Sequence, residues 1–468
     1  MLSSPRRWLF IASPLLTILF VYSYLLPHTD PVVVSTGQWT QSEANQSPII
    51  VDGTQSGPEI DTPGDAGDAG SLESRCGNIP RDMQDIMVIV KTGATEARDK
   101  LPVQLRTGLQ CVPHFAVFSD YEETINGVRT YDVLRNVTDA TREKEPEFQF
   151  YRRLQQLGRE GLTEQDLGDD SNSPFGKVNN PGWKLDKWKF IPMIDGALTI
   201  KPDAKWYYFI EVDTYVVWPN LADWLHRFDP TRPFYLGSPM QIGETVFGHG
   251  GGGILLSNPA LTRLHELRAQ SPENLEALTA QEWAGDCVLA RALDQIQIPL
   301  TWTWPMMLVQ RPWEIDHFSE GYGRQPWCYP VVSYHHMSPR DIEEMWRFDR
   351  EWFRSGKNAL LLHADVYREF IHERGLAVRE DWDNLSGAEI VFDPPSTPSL
   401  ESCADACAQN NECLQYTWTP GEKSCKQASS SFAGVARNGT HSGWHLYRVE
   451  RLLTSFQSSC PQVEFILG

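Results

Sequence analysis

W-Y-Y-F-I-E-V-D-T-Y-V-V-W-P-N, residues 206–220, is almost wholly aromatic and β-branched, and reads as a buried strand. Glu211 and Asp213 interrupt it near its middle. Carboxylates are rarely buried unless they are paired or hold a metal. Strand side chains alternate with a period of two, so both are expected on one face, at the C-terminal end of the strand. Such a pair offers oxygen ligands to a divalent cation, and a diphosphate supplies further oxygens. Pro219-Asn220 is expected to break the element.

The flanking sequence has the rhythm of an α/β domain. D-I-M-V-I-V at 85–90 is a short apolar run that ends at Lys91-Thr92-Gly93. A segment of helical composition follows from Thr95 to about Gln110, then H-F-A-V-F-S-D at 114–120 reads as a second strand. Strand, helix and strand in so short a span imply a parallel βαβ unit. Thr92 and Asp120 would then stand at the strand ends that face a ligand crevice. Residues 140–170 are charged and read as helix, then loop. In G-W-K-L-D-K-W-K-F, 182–190, Lys187 belongs to a local basic cluster, a candidate phosphate contact in an acidic chain. Downstream, F-G-H-G-G-G-G-I-L-L-S at 247–257 places four glycines ahead of a strand, which lets backbone approach a ligand closely. A helix is expected from Asn258-Pro259. In E-W-A-G-D-C-V-L-A-R-A-L, 282–293, Asp286 stands at a helix entrance, as an N-cap, a general base or both. V-V-S-Y-H-H-M-S at 331–338 sets two histidines after a short strand, and imidazole is a frequent metal ligand.

Taken in order, these motifs resemble glycosyltransferase family 31, the Fringe and core-1 β1,3-galactosyltransferase group, over about residues 85–340. The resemblance implies a GT-A-type nucleotide-sugar transferase fold, a UDP-sugar donor, Mn²⁺ and inversion at the anomeric carbon. Asp213 matches the metal-binding last Asp of the family's D-D-D and Glu211 the first. Val212 departs from the middle Asp. His335 matches the C-terminal metal ligand, with His336 the weaker candidate. Asp286 matches the Asp proposed as catalytic base. Thr92 and Asp120 match the UDP-binding edge, and Lys187 is a further candidate donor contact. The activity implied is transfer of a hexose, galactose first, to a glycan or glycoprotein acceptor. The competing reading is a lumenal carbohydrate-binding protein on a decayed transferase fold. A metal-dependent hydrolase fits poorly, because neither H-E-x-x-H nor a nucleophile elbow occurs.

Composition and the termini set the surroundings. The chain has 468 residues, 17 Trp and a formal net charge of −20, which excludes a nucleic-acid partner for want of a basic stripe. Residues 8–26 carry no charge, enough helix to cross a hydrocarbon core of about 30 Å. Arg6 and Arg7 precede them, so residues 1–7 are expected in the cytoplasm and the remainder in the lumen. A cleaved signal peptide is the rival, but its apolar region is usually shorter. Residues 27–80 read as a flexible stem. Residues 81–393 are expected to form the transferase domain, and Pro394-Pro395 to mark a linker. An anchor, a stem and a lumenal body form the layout of a Golgi or endoplasmic-reticulum enzyme, and would also suit an anchored lectin. N-x-S/T patterns occur at Asn45, Asn136, Asn384 and Asn438.

Nine Cys imply an oxidising compartment and leave an odd thiol. Four crowd into 403–425, and this segment resembles an apple/PAN module, expected over 396–455 as a small disulfide-stapled α+β unit. The resemblance implies pairs Cys407–Cys413 and Cys403–Cys425, although four Cys allow three connectivities. It also implies a protein or glycan partner for the module.

Overall fold

The computed structural model describes residues 81–167, 179–372, 376, 378–391, 398–456, 460 and 462–467. The tail, membrane segment and stem expected before residue 81 lie outside the described residues. Among the described residues no helix is long and apolar enough to cross a membrane.

The strands of the transferase part are β1 (Ile86–Lys91), β2 (Phe115–Ser119), β3 (Glu123–Ile125), β4 (Val128–Asp132), β5 (Trp206–Glu211), β6 (Tyr215–Val216), β7 (Tyr235–Gly237), β8 (Pro239–Ile242), β9 (Thr245–Gly248), β10 (Ile254–Ser257), β11 (Leu300–Trp302) and β12 (Ser333–Tyr334). Eight of them form one mixed sheet in the order β11-β7-β10-β5-β1-β2-β4-β3. β1 pairs in parallel with both β2 and β5, as the βαβ reading requires. β10 runs antiparallel to β5.

Both faces of the sheet are covered, which explains the unbroken apolar runs. On β5, Tyr207 and Phe209 point into one core, with helices Phe190–Ile200, Asn258–Gln270 and Gly285–Gln295. Trp206, Tyr208 and Ile210 point into the other, with helices Ala97–Arg106 and Trp218–Leu225. β1 alternates in the same way, Met87 and Ile89 against Ile86, Val88 and Val90.

Two local expectations change. Pro219 does not simply stop the strand. It occupies the first turn of helix Trp218–Leu225, where a missing N–H costs nothing and the fixed φ suits the helix. Asp286 is not the cap of its helix, because Ala284 is, and Asp286 sits within the first turn.

The C-terminal module adds β13 (Trp382–Asp383), β14 (Ala388–Glu389), β15 (Gln415–Thr419), β16 (Ser424–Ala428), β17 (Val435–Ala436) and β18 (His441–Trp444) around helix Leu400–Gln409. β14, β16, β15 and β18 form one antiparallel sheet, and β13 pairs with β17. Strands ahead of Pro394-Pro395 thus belong to the module, so its border falls earlier than the expected 396. Cys403–Cys425 and Cys407–Cys413 are bonded. Cys111 is also in a disulfide, and the free thiol among the described residues is the buried Cys287. Asn384 is fully buried, with Nδ2 donating to the Tyr416 and Gly443 carbonyls. Its N-L-S pattern is therefore no acceptor for glycan in the folded protein, whereas Asn136 and Asn438 are exposed.

The module is fastened to the transferase part. Tyr367 Oη donates to Ser431 Oγ at 2.7 Å, and Gly434 N–H to the Trp313 carbonyl at 3.1 Å. Phe456, at the end of helix Leu446–Phe456, packs on Phe318 and Trp327. Beyond it, Cys460 is bonded to Cys328, and Trp224 Nε1 donates to the Ile466 carbonyl at 2.7 Å. Cys328–Cys460 closes a sequence separation of 132 residues, so its removal frees a long loop in the unfolded chain. Replacing both cysteines by serine is expected to lower stability by about 2–4 kcal/mol, read as an earlier midpoint in urea. An unchanged midpoint would show that the tail adds nothing to the fold.

Candidate active site

The parallel register of β1 and β5 places Lys91 beside Glu211, at the edge where both strands end. Lys91 Nζ lies 3.2 Å from Glu211 Oε1 and also contacts Asp186. β5 stops at Glu211, so strand alternation does not align the two carboxylates. A tight turn does. Thr214 N–H donates to the Glu211 carbonyl, Glu211 N–H to Thr214 Oγ1, and Thr214 Oγ1 to the Gly251 carbonyl at 2.8 Å. Gln104 reaches across from helix Ala97–Arg106 and donates to the carbonyls of both Val212 and Thr214. Val212 is fully buried and faces the apolar core. A valine in the middle position thus serves packing, and its side chain is turned away from the carboxylates.

The histidine arrives through a second pairing. β6 and β12 form a short antiparallel ribbon, with Tyr215 opposite Tyr334, and Met337 N–H donates to the Asp213 carbonyl. His335 Nε2 therefore lies 3.2 Å from Asp213 Oδ1 and 3.4 Å from Glu211 Oε2. Burial opposes a charged ring, but Asp213 and Glu211 outweigh it and push His335 up to about 9. Burial likewise opposes charge on Asp213, yet His335 and Lys100 hold it well below the usual carboxylate range. His336 joins this group more closely than its sequence suggested. Its ring lies tilted against His335 with centroids 3.8 Å apart, and its backbone is left-handed, with φ +58°. Such strain is held where the surroundings fix a residue for use.

Asp213, His335 and His336 each offer a ligand atom within 4.8 Å of the others. Both His335 ring nitrogens are buried and lack a hydrogen-bond partner of good geometry among the described residues. A mixed carboxylate and imidazole set suits a transition-metal dication better than Mg²⁺ or Ca²⁺. The residues present fit a divalent cation.

The glycine run closes over this group. A Cβ on Gly251 would stand 2.0 Å from His335 Cε1. Gly253 turns with φ +95°, where a Cβ would strike the Tyr208 ring. Gly250 N–H donates to Asp286 Oδ2 at 2.8 Å, and Cys287 N–H to Asp286 Oδ1 at 2.9 Å. Burial pushes Asp286 up to about 6, against the Gly250 hydrogen bond.

All of this opens into one cleft of about 570 Å³. Glu211, Asp213, His335, Asp286 and Lys187 line it. Lys187 is paired there with Glu147 at 2.9 Å. Thr92 and Asp120 lie behind the wall. Asp120 is fully buried, accepts from Ala94 N–H and pairs with Lys189 at 3.0 Å, and the Thr92 carbonyl accepts from Lys189 Nζ at 2.7 Å. They position Lys189, which does line the cleft. The sequence reading missed Lys91, Lys100, Lys189 and Asp186. Lys100 Nζ lies 3.0 Å from Asp213 Oδ2 and 2.9 Å from Glu96 Oε2. Lys189 was visible in the basic cluster, but its burial was not. Trp183 and Trp283 face each other at 6.0 Å along the cleft wall, and Trp283 is half-exposed.

Residues 81–308 match the Fringe-like family model, and residues 385–441 match the PAN domain. The first match spans the carboxylate turn, the glycine run and Asp286, and ends before His335, which the ribbon carries in. The chain thus holds a glycosyltransferase domain of the Fringe, family 31 type, followed by a PAN domain.

Proposed function

We propose that the protein is a metal-dependent, inverting β1,3-glycosyltransferase that moves a hexose, galactose first, from a UDP-sugar to a glycan or glycoprotein acceptor. The observation that carries this reading is the convergence of Asp213, His335 and Asp286 on one cleft. Charge supports the cation. The cleft is lined by Glu96, Asp99, Asp186, Glu211, Asp213 and Asp286, against Lys91, Lys100, Lys187 and Lys189. With carboxylates in excess, an anionic diphosphate needs further positive charge to enter. Asp213 and His335, with His336 beside them, would hold a divalent cation such as Mn²⁺. Bound there, it supplies charge neutralisation for the diphosphate and for UDP as a leaving group.

The chain's own groups account for the remainder. Asp286 Oδ accepts the proton of the acceptor hydroxyl, which attacks the anomeric carbon from the side opposite UDP. Its raised affinity for protons suits a general base. Lys91 and Lys189, buried among carboxylates, hold the donor side of the cleft in place. Trp183 and Trp283 offer ring faces to a sugar. The proposal includes a type II anchor at residues 8–26 and a Golgi or endoplasmic-reticulum lumen, supported by the disulfides, which belong to an oxidising compartment.

The test uses residues 76–468 with a panel of UDP-sugars and acceptors, and records UDP release with Mn²⁺ or with EDTA. One donor is expected to give metal-dependent release, reduced more than about a hundredfold in Asp213→Ala. No release from any donor by folded protein would shift the reading to a carbohydrate-binding protein. Asp286→Asn is expected to cut kcat by roughly 10²–10⁴-fold and leave UDP binding intact. A base works only when deprotonated, so wild-type kcat/KM should fall as the pH drops below about 6, and this limb should vanish in the variant. Gly251→Ala should displace the His335 ring and weaken Mn²⁺ binding about tenfold or more, measured by calorimetric titration. Unchanged affinity there would remove His335 from the ligand set.

A further inference from the structure

A second concavity, of about 870 Å³, lies outside the cleft. Its walls include Arg106, Gln110, Trp346, Arg347, Arg350 and Arg354. Four guanidinium groups around one groove stand out in a chain of net charge −20. Glu343 is shared between Arg106 at 3.7 Å and Arg347 at 3.2 Å. Glu351 is the acidic residue in the lining itself. Arg350 is set over the Trp346 ring, 5.3 Å from its centroid. Burial and the nearby Arg354 lower its hold on a proton, with Asp349 acting against them.

The groove is aligned with the cleft. Helices Ala97–Arg106 and Pro339–Ser355 pack together. Asp99 and Pro339 line the cleft, and Arg106 and Trp346 line the groove. Each pair is seven residues apart on its helix. Seven residues make two turns to within about 20°, so both concavities open on the same face of the helix pair, about 10 Å apart along it. Arg347 and Arg354 are again seven apart on one helix, which sets them about 10 Å apart along one face.

We propose that this groove is a second carbohydrate subsite that binds an acidic glycan through its sulfate or carboxylate groups. A guanidinium fork pairs bidentately with either group, and the half-buried Trp346 ring holds Arg350 at the groove wall. The inference rests on the proposed glycan acceptor, and names its class: a chain whose reacting end lies in the cleft and whose anionic units lie in the arginine groove.

The test uses the full-length protein and three probes: a heparin-derived hexasaccharide, its desulfated N-acetylated counterpart, and a neutral chitin hexasaccharide. Binding is measured by titration at low and at physiological salt, beside Mn²⁺-dependent UDP binding. The first probe should bind with an affinity that falls with salt, and weaken about tenfold or more in Arg350→Gln/Arg354→Gln. Equal binding of the desulfated probe assigns the site to carboxylates, and its loss assigns the site to sulfates. UDP binding should be unchanged in the variant. Binding of the neutral probe as tightly as the acidic ones, or equal binding by the variant, would overturn the proposal. So would capture of anionic phospholipid vesicles in preference to every glycan. If the acidic probe binds but UDP does not, the groove stands and the transferase reading falls.

Discussion

A carboxylate at the end of a buried strand must meet a positive charge, and this constraint organises the active side of the molecule. Glu211 and Asp213 close β5 at the edge of a sheet covered on both faces. Leaving water costs each of them several kcal/mol without a partner. Lys91 arrives through strand register, Lys100 through the first helix, and His335 through the β6–β12 ribbon. Asp186 and Asp120 repeat the pattern with Lys91 and Lys189. The result is an alternating set of charges in which each carboxylate faces a cationic group. A divalent cation held by Asp213 and His335 would compete with Lys100 for Asp213 and with the proton on His335.

Backbone geometry makes that density of charge feasible. His335 lies so near the chain at Gly251 that no other side chain fits. The same run offers its Gly250 N–H to Asp286. One four-residue stretch thus bounds both the candidate metal group and the candidate base, and fixes their separation without a side chain of its own. The valine between the two carboxylates complements this arrangement by filling the core on the opposite side.

Much of this was legible in the sequence because it depends on local pattern. The β5 run, the βαβ unit, the glycine run and the S-Y-H-H segment each declare themselves within ten or so residues, and their order pointed to the family. The countercharges did not declare themselves. Lys100 and Asp213 are 113 residues apart, and nothing in A-R-D-K-L-P separates a half-buried, paired lysine from a solvated one. The N-cap reading of Asp286 failed for a related reason. Position at a helix entrance is a local cue, but the carboxylate's partner is a loop amide far away in sequence. The module's border was misread because Pro394-Pro395 resembles a linker, while β13 and β14 ahead of it pair with strands that come later. Its two internal disulfides are those implied by the resemblance to an apple/PAN module. Cys328–Cys460 had no such signal.

The returning tail gives the chain a direction in time. Ile466 is packed within the core that also holds Trp224 and the inner face of β5. A ribosome supplies these residues after the PAN domain. This part of the transferase core therefore closes only with residues that lie beyond the PAN domain in sequence. Residues on both sides of the PAN domain thus share one core, and the two domains share one folding condition.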